Sequence, residues 1–503
     1  MTTPFTVVDD GYGGCSDSTY SGWVNASLGD PGDFAENGQQ NPPVSITSMR
    51  SNSVPLPGTL ALLGLGFAAL GFSRKTLQAL IADCFCTASM GASGSHFFID
   101  HMATIALIWE LGSDYGHIGR FLPIAQALRA QGHRPVMILR DISRADELLT
   151  PYGLEYLQAP LWLPPVSGLP AALNFTESLF LFGFLSPAGL LSITRAWRQL
   201  FALLKPELLI FDHAPTALLA ARGLGLPRLI TGNSFAVPPQ TRPLPIYRWW
   251  DAAPAATRLE ETESRLLENA NKVLRQLDAP LMRQVADLYA AEATLITGVP
   301  ELDVYGPRPK ENYVGAINNT SHGQEPQWPG TRKTRIFAYL KAHYAKFDQV
   351  LSALSRTDAS VLIFAQGVAR QQVQRYQGAN LAFSSSPVLM SAARAQCDLA
   401  VCHAGGTVDV MLSAGKPLLL LPMQMEQSMT SKRVENTGCG LSYTLEQPPA
   451  MLEKLLSKLL TNADFSARAA AYAANHQEFT QENALHRLLD CCSQLLQPAQ
   501  SPG

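Results

Sequence analysis

The sequence predicts an α/β protein built as two Rossmann-like halves, with an extra segment at its N-terminus. Three observations carry this. At 503 residues the chain is longer than one hydrophobic core usually organises. From Met102 onward, short apolar runs alternate with amphipathic helical stretches, the pattern of parallel sheets joined by helical crossovers. A Pro- and Gly-rich stretch, residues 305–330, then interrupts that pattern and marks the join between the halves.

The elements follow in order. Residues 1–53 are rich in Gly, Ser, Asn and Asp with few periodic apolar positions, the composition of a low-order tail. Residues 54–75, "VPLPGTLALLGLGFAALGFSRK", form an uncharged apolar stretch closed by Arg74 and Lys75. Its length is near the minimum of about 17–20 residues for a spanning helix, and its glycines leave insertion marginal. The stretch resembles the PEP-CTERM sorting signal of bacterial exported proteins, with Leu56 where that signal carries glutamate and with a long chain after it rather than a terminus. Residues 76–101 read as a linker. The expectation drawn here is that residues 1–101 come from another reading frame or a fused gene, with Met102 the natural start; the alternative is a membrane-anchored fusion. In the anchored case the basic end places the main body, and its catalytic domain, in the cytoplasm.

In the first half, residues 102–310, "TIALIWEL", "RPVMILRD", "PELLIFD", "LPRLITG" and "ATLITGVP" read as buried strands, and "RFLPIAQALRAQG" as a helix. In the second, residues 311–480, the strands are "TRIFAYL", "SVLIFAQG", "DLAVCHAG" and "PLLLLPM", with helices such as "KFDQVLSALSRT" and "PVLMSAARAQ" between them. Residues 481–503 are a C-terminal helix and tail. Lys and Arg number 38 against 41 Asp and Glu, which leaves no electrostatic footprint for nucleic acid. Eight cysteines show no paired spacing of a disulfide framework or a zinc site, so the main body suits a reducing compartment.

Ligands of such sheets bind beyond the carboxyl ends of the strands. After "DLAVC" come His403, Gly405, Gly406 and Thr407, opening a helix at once: glycines admit a phosphate to the backbone, free amides point at it, and His or Thr adds a donor. A tight turn with His403 bonded to backbone gives the same pattern. The next strand ends at Glu426 and Gln427, an acid and an amide that suit sugar hydroxyls and equally suit a helix cap.

Together, His-x-Gly-Gly-Thr, Leu-x-x-Gly-x-Pro, the apolar strand ending in Pro, the acid-Gln pair and the Gly-x-Gly that follows resemble the nucleotide-sugar motif of the UDP-glycosyltransferases, family 1 enzymes with the GT-B fold. The resemblance spans most of residues 103–480 and is strongest over 398–440. It implies two Rossmann-like domains facing a cleft, His403 and Thr407 on the diphosphate, and Glu426 and Gln427 on the donor sugar. The turn is one residue short before Gly406, and Glu426 stands where Asp is usual. The ribose-binding acid falls on Val410, beside Asp409.

"SDYGHIGRFLP" likewise resembles the family's Gly-His entry into the first helix, which implies that His117 deprotonates the acceptor and that Asp212 orients it. Read without the resemblance, His117 serves equally as a structural donor and Asp212 as the cap of a helix near Pro215, and His213 rivals both. Phe235, Trp249 and Trp250, with Tyr247, lie in a Pro-rich loop and suit the wall of an acceptor site. The apolar residues 176–193 suit helical core, acceptor cleft or membrane contact.

The expected activity is inverting transfer of a sugar from a UDP-sugar to a hydroxyl of a small-molecule or lipid-like acceptor. No Asp-x-Asp motif is present to hold a metal, and no cofactor is expected. A nucleotide-sugar epimerase of the same fold, and a membrane-anchored, non-catalytic sugar-binding protein, are the alternatives.

Overall fold

In the computed structural model, residues 101–112, 116–318 and 323–497 are described. The segments 1–53 and 54–75 and nearly all of 76–101 lie outside the described residues.

The first sheet comprises β1 (Thr104–Trp109), β2 (Arg134–Leu139), β3 (Glu155–Gln158), β4 (Leu208–Asp212), β5 (Arg228–Gly232) and β6 (Ala293–Ile296). Its strand order is β3-β2-β1-β4-β5-β6. The second comprises β7 (Arg335–Lys341), β8 (Ser360–Gln366), β9 (Leu381–Ser384), β10 (Leu399–Cys402), β11 (Leu418–Leu420) and β12 (Gly440–Ser442), in the order β12-β11-β10-β7-β8-β9. All pairings are parallel. Counted from its own first strand, each sheet has the same order, so each reverses direction between its first and fourth strands. That reversal point opens a crevice at the strands' carboxyl ends.

Central strands read as continuous apolar runs because helices cover both faces of the sheet. Along β1, Ala106 and Ile108 face one core while Ile105, Leu107 and Trp109 face the other, and β4 divides the same way, Leu209 and Phe211 against Leu208 and Ile210. The strands β3, β9 and β12 were not predicted. They span four, four and three residues, sit at or beside sheet edges and carry mixed burial, so no apolar run announces them.

The helix predicted from Arg120 begins instead at Gly116 and runs to Ala130 with Pro123 inside it. Among the described residues no single helix is long and apolar enough to cross a membrane; the pair Phe175–Phe182 and Pro187–Leu204 passes only as a span bent by 80°. That pair covers the predicted apolar region 176–193, and its Phe175, Leu179, Trp197 and Phe201 are buried in the first core. The C-terminal helix Gln481–Leu496 does not stay with the second domain: Ala484, Leu488 and Cys492 pack into the first domain's core beside Ile105 and Leu208.

Candidate active site

At the reversal point of the first sheet, Trp109 of β1 and Asp212 of β4 are register partners. The chain leaves β1 through Glu110, Leu111 and Gly112, and His117 returns on the first turn of its helix. Its Nδ1 lies 2.8 Å from Asp212 Oδ2, and its ring stacks on Trp109 at 5.0 Å. Arg120, one helical turn further, donates from Nη1 to the same Oδ2. Asp212 is fully buried. Burial pushes its carboxyl up, but the guanidinium of Arg120 and the ring of His117 outweigh this and hold it well below the usual carboxylate range. Gly112 takes φ +97°, and a Cβ there would stand 2.6 Å from His117 Nε2.

Asp212 does not cap the helix Pro215–Ala221. Glu110 does: its carboxylate accepts from the amides of Thr216 (2.9 Å) and Ala217 (3.3 Å) and from the Thr216 hydroxyl (2.7 Å). His213 is ringed by Phe175 at 5.7 Å and Phe235 at 6.0 Å. Burial, then the neighbouring His117 ring, lowers it to about 3, too low for a base that must hold an alcohol proton near neutral pH.

Two cavities flank this cluster. One, of about 670 Å³, lies between the domains and is lined by Arg120, Asn233, Gly405, Gly406, Asp409 and Glu426, among others. A Cβ on Gly405 would meet nothing within 4 Å. Burial pushes Asp409 up to about 6 against the pull of Arg120. The other cavity, of about 570 Å³, has walls of Leu111, Phe175, Phe182, Phe235, Tyr247 and Met425, with Arg140 and His213 as polar points. Glu426 lines both. It accepts from Asn233 Nδ2 of the first domain. Burial raises its carboxyl, with His117, the Asn233 bond and Arg120 pulling the other way. Among the described residues no group of three or more His, Cys, Asp or Glu side chains could hold a metal ion.

Residues 343–488 match the model of the glycosyltransferase family 28 C-terminal domain. The chain is a glycosyltransferase of the GT-B type. Residues 53–75 match the PEP-CTERM protein-sorting motif. The family match is to family 28, where the motif around His403 resembles family 1. A PGL/p-HBAD biosynthesis glycosyltransferase of Mycobacterium tuberculosis is 24% identical over 298 residues, 55% of this chain and 68% of that protein. Among solved structures, the calicheamicin glycosyltransferase superposes with a TM-score of 0.60 at 17% identity, covering 80% of this chain and 100% of its own. A spinosyn rhamnosyltransferase complexed with thymidine diphosphate gives 0.56 at 18%, covering 77% and 100%. At these identities the structural likeness shows the GT-B fold.

Within this glycosyltransferase the predicted site residues fall into three groups. His117 and Asp212 form the cluster without themselves lining either cavity, while Glu426, Gly405, Gly406 and Phe235 line the two cavities beside it. His403, Thr407 and Gln427 stand next to it without lining either cavity. The His403 ring lies at the reversal point of the second sheet, its Nδ1 2.8 Å from the Leu421 carbonyl and its Nε2 accepting the Lys341 amide at 2.9 Å, so it ties β7, β10 and the end of β11 together. Thr407 heads the helix Thr407–Leu412. Gln427 accepts the Met423 amide at 2.8 Å, closing its own turn. Trp249 and Trp250 lie elsewhere: the Arg433 guanidinium stands 4.2 Å over the Trp249 ring and Lys432 6.0 Å over Trp250, so they join the first domain to the helix Met425–Thr437. Val410 is buried in the second domain, and it is Asp409 that faces the cleft. Sequence reading missed Arg120, Glu110 and Asn233; only Arg120 left a signal, its i, i+3 spacing from His117.

Proposed function

We propose that this glycosyltransferase moves a sugar from a UDP-sugar to a hydroxyl of an apolar small-molecule or lipid-like acceptor, with inversion and without a metal ion. The observation that carries the reading is the His117 and Asp212 pair, whose partner Arg120 lines a polar interdomain cleft and whose neighbours Gly112 and His213 line an aromatic-walled cavity. The acceptor occupies the aromatic cavity and the nucleotide sugar the polar cleft, with its diphosphate over Gly405, Gly406 and Thr407 and its sugar beside Glu426 and Gln427. His403 shapes that seat from beneath through its two backbone bonds. His117 takes the acceptor proton at Nε2 while Asp212, on Nδ1, fixes the ring and offsets the charge it gains. The acceptor oxygen bonds to the anomeric carbon as the bond to the diphosphate breaks, and a single displacement inverts that centre. The UDP preference rests on the motif around His403; in the spinosyn rhamnosyltransferase of the same fold the nucleotide is thymidine diphosphate.

Thermal melts with UDP and thymidine diphosphate, followed by turnover with UDP-sugars, test this. At a UDP concentration of 100 times Kd the expected stabilisation is about 2.7 kcal/mol. His117→Ala should keep the UDP shift and lose about 10²- to 10⁴-fold in turnover. Asp212→Asn should lose less, and its loss should not add fully to that of His117→Ala, since residues acting as a unit share one effect. A larger shift with thymidine diphosphate would replace the donor, and normal turnover in the His117 variant would remove the base.

A further inference from the structure

We infer that Arg120 is a third catalytic group of this transfer, the cation that receives the charge developing on the departing diphosphate. The inference rests on the transfer reading above. Arg120 is the one cationic side chain among the described residues lining the interdomain cleft, where it shares the wall with Gly405 and Gly406 and with two carboxylates, Asp409 and Glu426. A cleft that takes a diphosphate against two carboxylates needs that cation.

Its placement gives it two tasks at once. Through Nη1 it bonds Asp212 Oδ2, the oxygen that also faces His117 Nδ1. Asp212 is fully buried, so Arg120 cancels a charge that would otherwise stand behind the catalytic histidine and repel the donor. A guanidinium carries five N–H donors. Asp212 is the one carboxylate that Arg120 pairs with among the described residues, and it engages a single terminal nitrogen. Arg120 itself lines the wall of the cleft, and its side chain keeps 14% of its surface exposed.

Before reaction, the cluster of neutral His117, Asp212 carboxylate and Arg120 carries no net charge. In the step, the acceptor O–H proton passes to His117 Nε2 and the acceptor oxygen forms its bond to the anomeric carbon. The anomeric carbon-to-phosphate-oxygen bond breaks with its electron pair on the diphosphate. The cluster then carries one positive charge as the diphosphate gains one negative charge, and Arg120 is the part of the cluster on the donor side.

The alternative is that Arg120 only positions Asp212, and the two roles separate experimentally. UDP and uridine affinities are measured by calorimetry for the wild type, Arg120→Met and Arg120→Lys. Turnover is measured with one UDP-sugar and acceptors running from aliphatic alcohols to nitrophenols. A leaving-group cation predicts that Arg120→Met weakens UDP about tenfold to a hundredfold while leaving uridine unchanged. It also predicts a turnover loss of about 10²- to 10³-fold that is the same for every acceptor. Arg120→Lys, which keeps a charge opposite Asp212, should fold and recover part of both. A pure positioning role predicts unchanged UDP affinity and a loss that fades as the acceptor becomes acidic, as for His117→Ala, and either result overturns the inference. Absence of transfer by the wild type would instead remove the underlying reading.

Discussion

Gly112 holds open the space that His117 uses. Its φ of +97° lies where side chains are strained, and the missing Cβ would stand 2.6 Å from Nε2, the nitrogen that faces the acceptor in the proposed reaction. The residue also lines the aromatic cavity, so the glycine is where backbone, base and acceptor meet. Gly112→Ala should therefore push the His117 ring off Asp212 or off the acceptor. A misplacement of order 1 Å is expected to cost about 10²-fold in turnover. UDP affinity should hold, because Gly112 does not line the interdomain cleft. Steady-state kinetics beside calorimetry check this; a variant with full turnover would mean that Nε2 takes no proton from the acceptor.

At the scale of single elements, the helix Pro215–Ala221 depends on a residue of another strand's end. Glu110, at the exit of β1, accepts its first amides, and removal of that carboxylate would leave buried donors unpaired. Burial raises the Glu110 carboxyl from 4.5 to about 7, with the bonds to Thr216 and Ala217 pulling down. The folded chain thus binds this proton more tightly than the unfolded one, so the group's contribution to stability is fully present below 4.5 and is lost as pH rises through about 7. Relative to Glu110→Gln, which does not titrate, wild-type stability should decline from pH 5 to 7 and then level off in denaturant titrations; a constant difference would contradict the placement of this group. The sequence shows why such contacts were not read. Strands β1 and β4 are legible because every residue between two helical layers must be apolar, and His117 and Asp212 because they follow those runs. Glu110 follows β1 as directly, but its role is set by a helix about a hundred residues away, and no local pattern names that partner. Trp249 and Trp250 were legible as aromatics in a loop, while their side of the loop is fixed by Arg433 and Lys432 on the second domain.

Across the whole molecule, the chain builds the first domain, then the second, and returns to finish the first. The returning helix Gln481–Leu496 buries Ala484, Leu488 and Cys492 against a core that includes Ile105, Phe121 and Leu208, and Arg487 donates to the Tyr313 carbonyl between the domains. The first domain's stability is therefore written partly in residues 481–496. Leu488 is fully buried, so Leu488→Ala should cost about 2–5 kcal/mol. Five of the seven tryptophans, Trp109, Trp162, Trp197, Trp249 and Trp250, belong to the first domain, against Trp328 in the second and Trp23 outside the described residues, so the fluorescence change is weighted toward unfolding of the first domain. The variant should lower the fluorescence-detected melting midpoint although its substitution lies some 190 residues beyond β6. The same substitution at Leu456, in the core of the second sheet, is the control for a general loss of stability. If Leu488→Ala leaves the tryptophan transition in place while Leu456→Ala lowers it, the last helix does not complete the first domain in solution.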